Sequence, residues 1–139
     1  MTLVLDASMV LSWIFERTDA VGRDISDRTL QALSGASATV PSLWHVEVAN
    51  ALLVGERRRV ITAVQGADFL QRLDRLSIRI DAAGTAAHRD AIMALARLYD
   101  LTAYDACYLE LALRSNGALA SFDARLIKAA GAAGVALFQ

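Results

Sequence analysis

The apolar positions of this chain change period from one stretch to the next, and the changes mark out its elements. Thr2-Leu3-Val4-Leu5 is a short apolar run with β-branched character that predicts a strand, and Ala7-Ser8-Met9-Val10-Leu11 after it reads as the start of a helix over Ser8–Glu16. A longer helical pattern covers about Ala20–Leu33 and stops at Ser34-Gly35. Ala38–Val40 gives a second strand closed by Pro41, with Ser42 as the N-cap of a helix over Leu43–Arg58. A helix over Thr62–Arg75 would lie antiparallel to it. Ser77–Ile80 is the third strand, Ala82–Tyr99 an alanine-rich helix, and Ala103–Ser115 a further helix stopped by Asn116-Gly117. Ala118–Ser121, Asp123–Ala133 and Val135–Phe138 complete the pattern as strand four, the last helix and strand five. Strands alternating with helices predict an α/β fold: a mostly parallel five-stranded sheet covered by helices on both faces.

Length and composition narrow the picture. A chain of 139 residues suits one domain, residues 1–139, that buries about two-thirds of the surface its unfolded form exposes. No stretch has the character of a linker, repeat or low-complexity tract beyond an alanine bias. The longest apolar tract, Ala129–Phe138, has 10 residues and is broken by glycine. That is far below the roughly 18 needed to cross a bilayer. With one cysteine, Cys107, an intramolecular disulfide is excluded, and no basic leader with an apolar core opens the chain, so the cytoplasm is the expected compartment. The net charge of -1 neither demands nor excludes a nucleic-acid partner, although 13 of the 14 basic residues are arginine, the better fork for phosphate.

The candidate chemistry lies in four carboxylates. Asp6, Glu47, Asp105 and Asp123 are far apart in the chain, yet each falls where a strand or turn passes into a helix, or one turn into a helix. Each has an ordinary explanation as well. Asp6 and Asp123 would serve as N-caps, Glu47 as a solvated helix residue, and Thr102-Ala103-Tyr104-Asp105 as a capping box. Their combination points further, because strands one and four are neighbours in the simplest doubly wound order, and Asp6 and Asp123 then converge at the switch point where such sheets bind ligands.

Four carboxylates so close would repel one another unless a divalent cation neutralised them, and magnesium or manganese suits an all-oxygen set. Zinc does not fit, since Cys107, His45 and His88 have no ligand spacing; the histidines read as helix-surface or core residues and Cys107 as a small buried hydrophobe. Competing motifs fail at particular residues. Val10 replaces the second serine of an Asp-x-Ser-x-Ser adhesion site, Ser8 stands where an aspartyl-phosphate hydrolase needs a second Asp, and the only lysine, Lys128, falls mid-helix. No glycine-rich turn follows strand one, which disfavours a nucleotide cradle.

Four motifs then occur in order and at matching spacing: Val4-Leu5-Asp6-Ala7-Ser8 with Trp13, Val40-Pro41-Ser42-Leu43-Trp44-His45-Val46-Glu47-Val48-Ala49-Asn50-Ala51-Leu52, Leu101-Thr102-Ala103-Tyr104-Asp105-Ala106, and Ser121-Phe122-Asp123. Over nearly the whole chain they resemble the PIN-domain ribonucleases of the VapC toxin type. The last motif often has Thr where this chain has Ser121, which keeps the hydroxyl. The resemblance implies a three-layer α/β/α PIN-like fold and a magnesium-dependent endoribonuclease whose acidic quartet falls on Asp6, Glu47, Asp105 and Asp123. It also implies homodimerisation and a toxin held inactive by a cognate VapB-type antitoxin.

Such a site would use the carboxylates to hold the metal, or to orient a water that cuts RNA with no covalent enzyme intermediate. Ser8, Ser121 and Asn50 are candidates to support the ligands from behind, and Arg57, Arg58 and Arg59 form the densest basic cluster for the RNA backbone. All six have plain readings as caps, helix polars or the favourable charge at a helix C-terminus. No aromatic stacking platform is evident. Met9, Val10, Leu11, Trp13, Ile14 and Phe15 are apolar on every face of the first helix, so one face is expected to meet an antitoxin helix unless the helix is wholly internal. Two other readings stay open: a PIN nuclease for RNA processing with no antitoxin, and a non-catalytic module that binds a partner protein.

Overall fold

The structure, a computed structural model, describes residues 2–139. Its elements in chain order are β1 (Thr2–Leu5), α1 (Ala7–Leu11), α2 (Ala20–Ala32), β2 (Ser37–Val40), α3 (Leu43–Arg57), α4 (Ala63–Leu73), β3 (Ile78–Ile80), α5 (Ala86–Tyr99), α6 (Ala103–Ser115), β4 (Ala118–Ala120) and α7 (Ala124–Ala132). The sheet order is β3-β2-β1-β4 with every neighbour parallel. The chain adds β2 and β3 on one side of β1 and β4 on the other, so the order reverses between β1 and β4. That junction is where an open parallel sheet leaves a crevice beyond its carboxyl ends. The strand ladder runs on past β1 into the crevice, since the Asp6 amide donates to the Ala120 carbonyl at 3.0 Å.

The core is centred on β1. Leu3, Val4 and Leu5 are wholly buried, as a continuous apolar strand covered on both faces must be, and Met9, Val10, Trp44, Tyr108, Leu109, Leu119 and Leu126 pack into the same cluster. Truncating any of these leucines to alanine would cost about 2–5 kcal/mol. The turn after α1 is held against α3 at Gly55, where a Cβ would meet the Phe15 ring at 2.7 Å, so only glycine allows the approach.

Three expected elements differ. The first helix ends at Leu11 rather than Glu16, and Ser12–Phe15 continue as tight turns. The cause is polar. The Ser12 hydroxyl bonds the Met9 carbonyl and lies 2.6 Å from the Ser26 hydroxyl, and the Trp13 indole donates to the Ser26 carbonyl at 3.0 Å, so these side chains draw the chain off the helical path towards α2. The fifth helix starts at Ala86, not Ala82, because Thr85 caps it by accepting from the His88 amide at 3.2 Å. The fifth strand, expected at Val135–Phe138, is a single bridge from Leu137 to Leu119. In β4, of only three residues, Leu119 alone turns its amide and carbonyl outward, and it uses both, donating to Ala136 and accepting from Phe138. Among the described residues the sheet therefore has four strands rather than five, flanked by seven helices. Ser42 occupies the cap position of α3, but its hydroxyl makes no cap bond.

Candidate active site

Asp6 follows β1 and is buried in the crevice at 5 % exposure. It stands at the cap position of α1, yet its side chain makes no cap bond. Two serines hold it instead. The Ser8 hydroxyl donates to Oδ2 at 2.6 Å and the Ser121 hydroxyl donates to the same oxygen at 2.7 Å. Each hydroxyl also accepts a backbone amide from the segment after β4, Phe122 for Ser8 and Asp123 for Ser121, both at 2.9 Å. The serines thus tie the end of β4 to Asp6 and leave its Oδ1 uncommitted. Phe122 is fixed from outside by the Arg17 guanidinium, 4.1 Å above its ring.

The other acids come from three helices. Glu47, half-buried on α3, accepts at Oε1 from the Tyr108 hydroxyl of α6. Asp105 lies in the first turn of α6. Thr102 caps that helix by accepting the Asp105 amide at 3.1 Å, without the reciprocal backbone bond of a capping box among the described residues. Asp123 does cap α7, its Oδ1 accepting the Leu126 amide at 2.9 Å. The ordinary reading therefore describes Asp123 well and Asp6 and Asp105 poorly.

Burial and mutual repulsion set the electrostatics. Burial first, then Asp123, pushes the Asp6 carboxyl above the usual range against the two serine bonds. Glu47 is raised by burial and by the charges of Asp6 and Asp105, against the Tyr108 bond. Asp105 is raised by burial, Asp123 and Asp6, and eased by the Thr102 bond and by Arg125 just inside α7. These carboxylates act on one another, and Arg125 offsets that charge at Asp105.

Glu47, Asn50 and Asp105 line one cleft of about 410 Å³, walled by Leu43, Val46, Thr102 and Tyr104. Tyr104, 67 % exposed there, is an aromatic face that the sequence did not reveal as a stacking platform. Tyr108 was also missed. Inside the apolar face of a helix, a tyrosine is indistinguishable from core until its hydroxyl is seen. Arg57, Arg58 and Arg59 are exposed at the far end of α3, with Arg57 about 15 Å along the helix from Glu47, so they cannot share a single phosphate with the acids. Cys107 is half-buried rather than buried, its thiol pushed up by burial and by Glu110 and Glu47.

An all-oxygen donor set with free oxygens and no matching cations has the chemistry of a hard divalent-ion site. As the side chains stand, no three His, Cys, Asp or Glu residues among those described are close enough to enclose an ion. Among the described residues no helix is long and apolar enough to cross a membrane.

Comparison with known proteins places the fold. The chain superposes on PAE2754 from Pyrobaculum aerophilum with a TM-score of 0.66 at 20% identity, covering 93% of this chain and 84% of that one. VapBC2 from Rickettsia felis, solved bound to a DNA fragment from its promoter, gives 0.68 at 14% identity over 99% and 97%. A toxin-antitoxin complex from Klebsiella pneumoniae gives 0.60 at 16% identity over 87% and 86%. At these identities the likeness is one of fold. No curated protein matches the chain in sequence. The PIN domain model matches residues 3–132, which cover β1 through α7 and all four carboxylates. The chain belongs to the PIN domain family, a family of nucleases.

Proposed function

We propose that residues 1–139 form one PIN domain that acts in the cytoplasm as a magnesium-dependent endoribonuclease toxin, checked by a VapB-type antitoxin. The observation that carries this reading is the set of buried and half-buried carboxylates, Asp6, Glu47 and Asp105, raised by burial first and then by neighbouring acids, with no ion pair to any of them among the described residues. Together with Asp123 they would hold magnesium, or manganese. When bound, the ion supplies a water of lowered pKa and neutralises charge on the phosphodiester.

This chain's own residues do the rest. Ser8 and Ser121 hold Asp6 in one rotamer, and Asn50, exposed beside Glu47, is placed to bond the RNA backbone. Tyr104 offers a face on which a base can stack, and Arg125 with Arg57, Arg58 and Arg59 attracts phosphates on either side. No side chain is required as a covalent nucleophile.

An apolar groove of about 480 Å³ lies where the turn after α1 meets α2 and α4, lined among others by Trp13, Ile14, Leu30, Phe69 and Leu76. It is the proposed seat of the antitoxin helix, a partner supported by the fold shared with a toxin-antitoxin complex. A second copy of the chain completes a homodimer. The deciding experiment is cleavage of a total-RNA pool by purified, antitoxin-free protein with magnesium or manganese against EDTA, beside Asp6→Asn. Discrete metal-dependent cuts missing from the variant are expected. Cuts by both proteins, or by neither, would defeat the reading.

A further inference from the structure

The geometry points to Tyr108 as the residue that positions Glu47: its buried phenol occupies Oε1 and leaves Oε2 as the one oxygen that Glu47 offers the cleft. The Tyr108 side chain is wholly buried in α6, and its hydroxyl is spent on a carboxylate 61 residues away on another helix. α3 packs mainly on α1, whereas α6 packs mainly on β1, β4, α5 and α7, so this bond is a polar tie between two walls of the cleft. Asp105 precedes Tyr108 by three residues, on the same side of α6. One turn of α6 therefore presents an acid to the cleft and holds the facing acid in place.

Without the phenol, Glu47 has three rotatable bonds and two repelling neighbours, Asp6 and Asp105, and would swing outward. Two of the other acids show the same arrangement. The serines occupy Oδ2 of Asp6, and the α7 amide occupies Oδ1 of Asp123, so each of these three carboxylates keeps one oxygen free. Tyr108 is a positioning residue, and the inference rests on the metal-binding reading of the site proposed above.

The test uses the full chain, stripped of metal, as wild type, Tyr108→Phe, Glu47→Ala and the double variant. Manganese affinity is read by calorimetric titration, and the thermal midpoint is read without metal. Tyr108→Phe keeps the ring and should weaken manganese binding about tenfold, lower kcat on RNA and leave KM unchanged. In the Glu47→Ala background the same change should weaken binding no further, and the metal-free midpoints should be non-additive. Manganese binding equal in wild type and Tyr108→Phe, or an equal loss with and without Glu47, would overturn the positioning role while leaving the nuclease reading intact. A wild-type chain that neither binds manganese nor cuts RNA would overturn both, and the wild type alone identifies that case.

Discussion

Helix α6 carries buried acids that meet opposite fates. In its first turn Asp105 faces the cleft with Glu47, near Asp6, and all three carboxyls are pushed up, by burial first and then by neighbouring acids, Asp123 in the case of Asp6. Further along, Glu110 is only 8 % exposed, as deeply buried as any acid of the cleft but Asp6. Burial alone would raise it. Instead the Arg114 guanidinium at 2.7 Å and His88 at 2.9 Å outweigh burial and hold its carboxyl below the usual range. Arg114 also forks onto Asp81 at 3.0 and 2.6 Å, and its hydrogen bonds, more than its charge, keep Asp81 low. Asp81 follows β3 as Asp6 follows β1, but Asp81 sits half-buried at the edge of the sheet with Arg114 forked onto it, whereas Asp6 is buried at its centre and has no ion-pair partner among the described residues. One set is closed by its own cations, and the other has no ion-paired carboxylate among the described residues.

The comparison breaks most visibly at Asp6. Asp6→Asn keeps the shape and removes the charge at the junction of β1 and β4. RNA cleavage should fall by at least about 10²-fold in a single-turnover assay. Retained cleavage would mean that the acids of the cleft are as structural as Glu110.

The next largest effect belongs to the other set. Glu110→Ala leaves His88 without its partner and Arg114 with Asp81 alone, at the packed contact of α5 with α6. The expected loss is about 2 kcal/mol of stability in urea unfolding, with cleavage per folded molecule unchanged. Lost cleavage at full folding would place this network in the chemistry and dissolve the distinction.

The two sets also predict opposite limbs of a pH–stability profile. The raised cleft carboxyls bind protons more tightly folded than unfolded, so their stabilising contribution is complete below the ordinary carboxylate range and is lost as pH rises through their raised values. The lowered Asp81 and Glu110 contribute above that range and lose their contribution as pH falls through their folded values. Metal-free protein should therefore give a dome. Asp6→Asn should lift its neutral side by about 1 kcal/mol, and magnesium should lift the same side in wild type but little in the variant. A neutral limb that Asp6→Asn leaves untouched would contradict the burial cost assigned to that carboxylate.

What was legible in the sequence follows from range of interaction. Strands β1 to β4 and the meeting of Asp6 with Asp123 were readable because a strand buried on both faces is a continuous apolar run and its polar follower marks its end. The early stop of α1 was not, because it depends on Ser26 reaching Ser12 from α2. The missing fifth strand depended on how many residues of β4 point outward, and helix α5 began late because Thr85 caps it. In the site, the acids announced themselves by type and spacing. Their holders did so unevenly: Ser8 and Ser121 lie within two residues of an acid, whereas Tyr108 reaches Glu47 only through the tertiary fold.

The smallest effect concerns cations that no acid claims. Arg58 makes no ion pair among the described residues, whereas Arg28 is bonded to Asp24 at 2.8 Å on the surface of α2. If the basic end of α3 carries RNA leading away from the cleft, Arg58→Ala should weaken binding of catalytically silent Asp6→Asn protein to single-stranded RNA about threefold. It should also reduce the slope of log affinity against log salt by about 0.7, the share of one phosphate contact. Arg28→Ala should leave that slope unchanged. Its charge is already compensated, and its loss releases no counterion from the RNA. Equal slopes for both variants and the parent would remove the end of α3 from the RNA path and leave Arg125 as the cation that meets the backbone at the cleft.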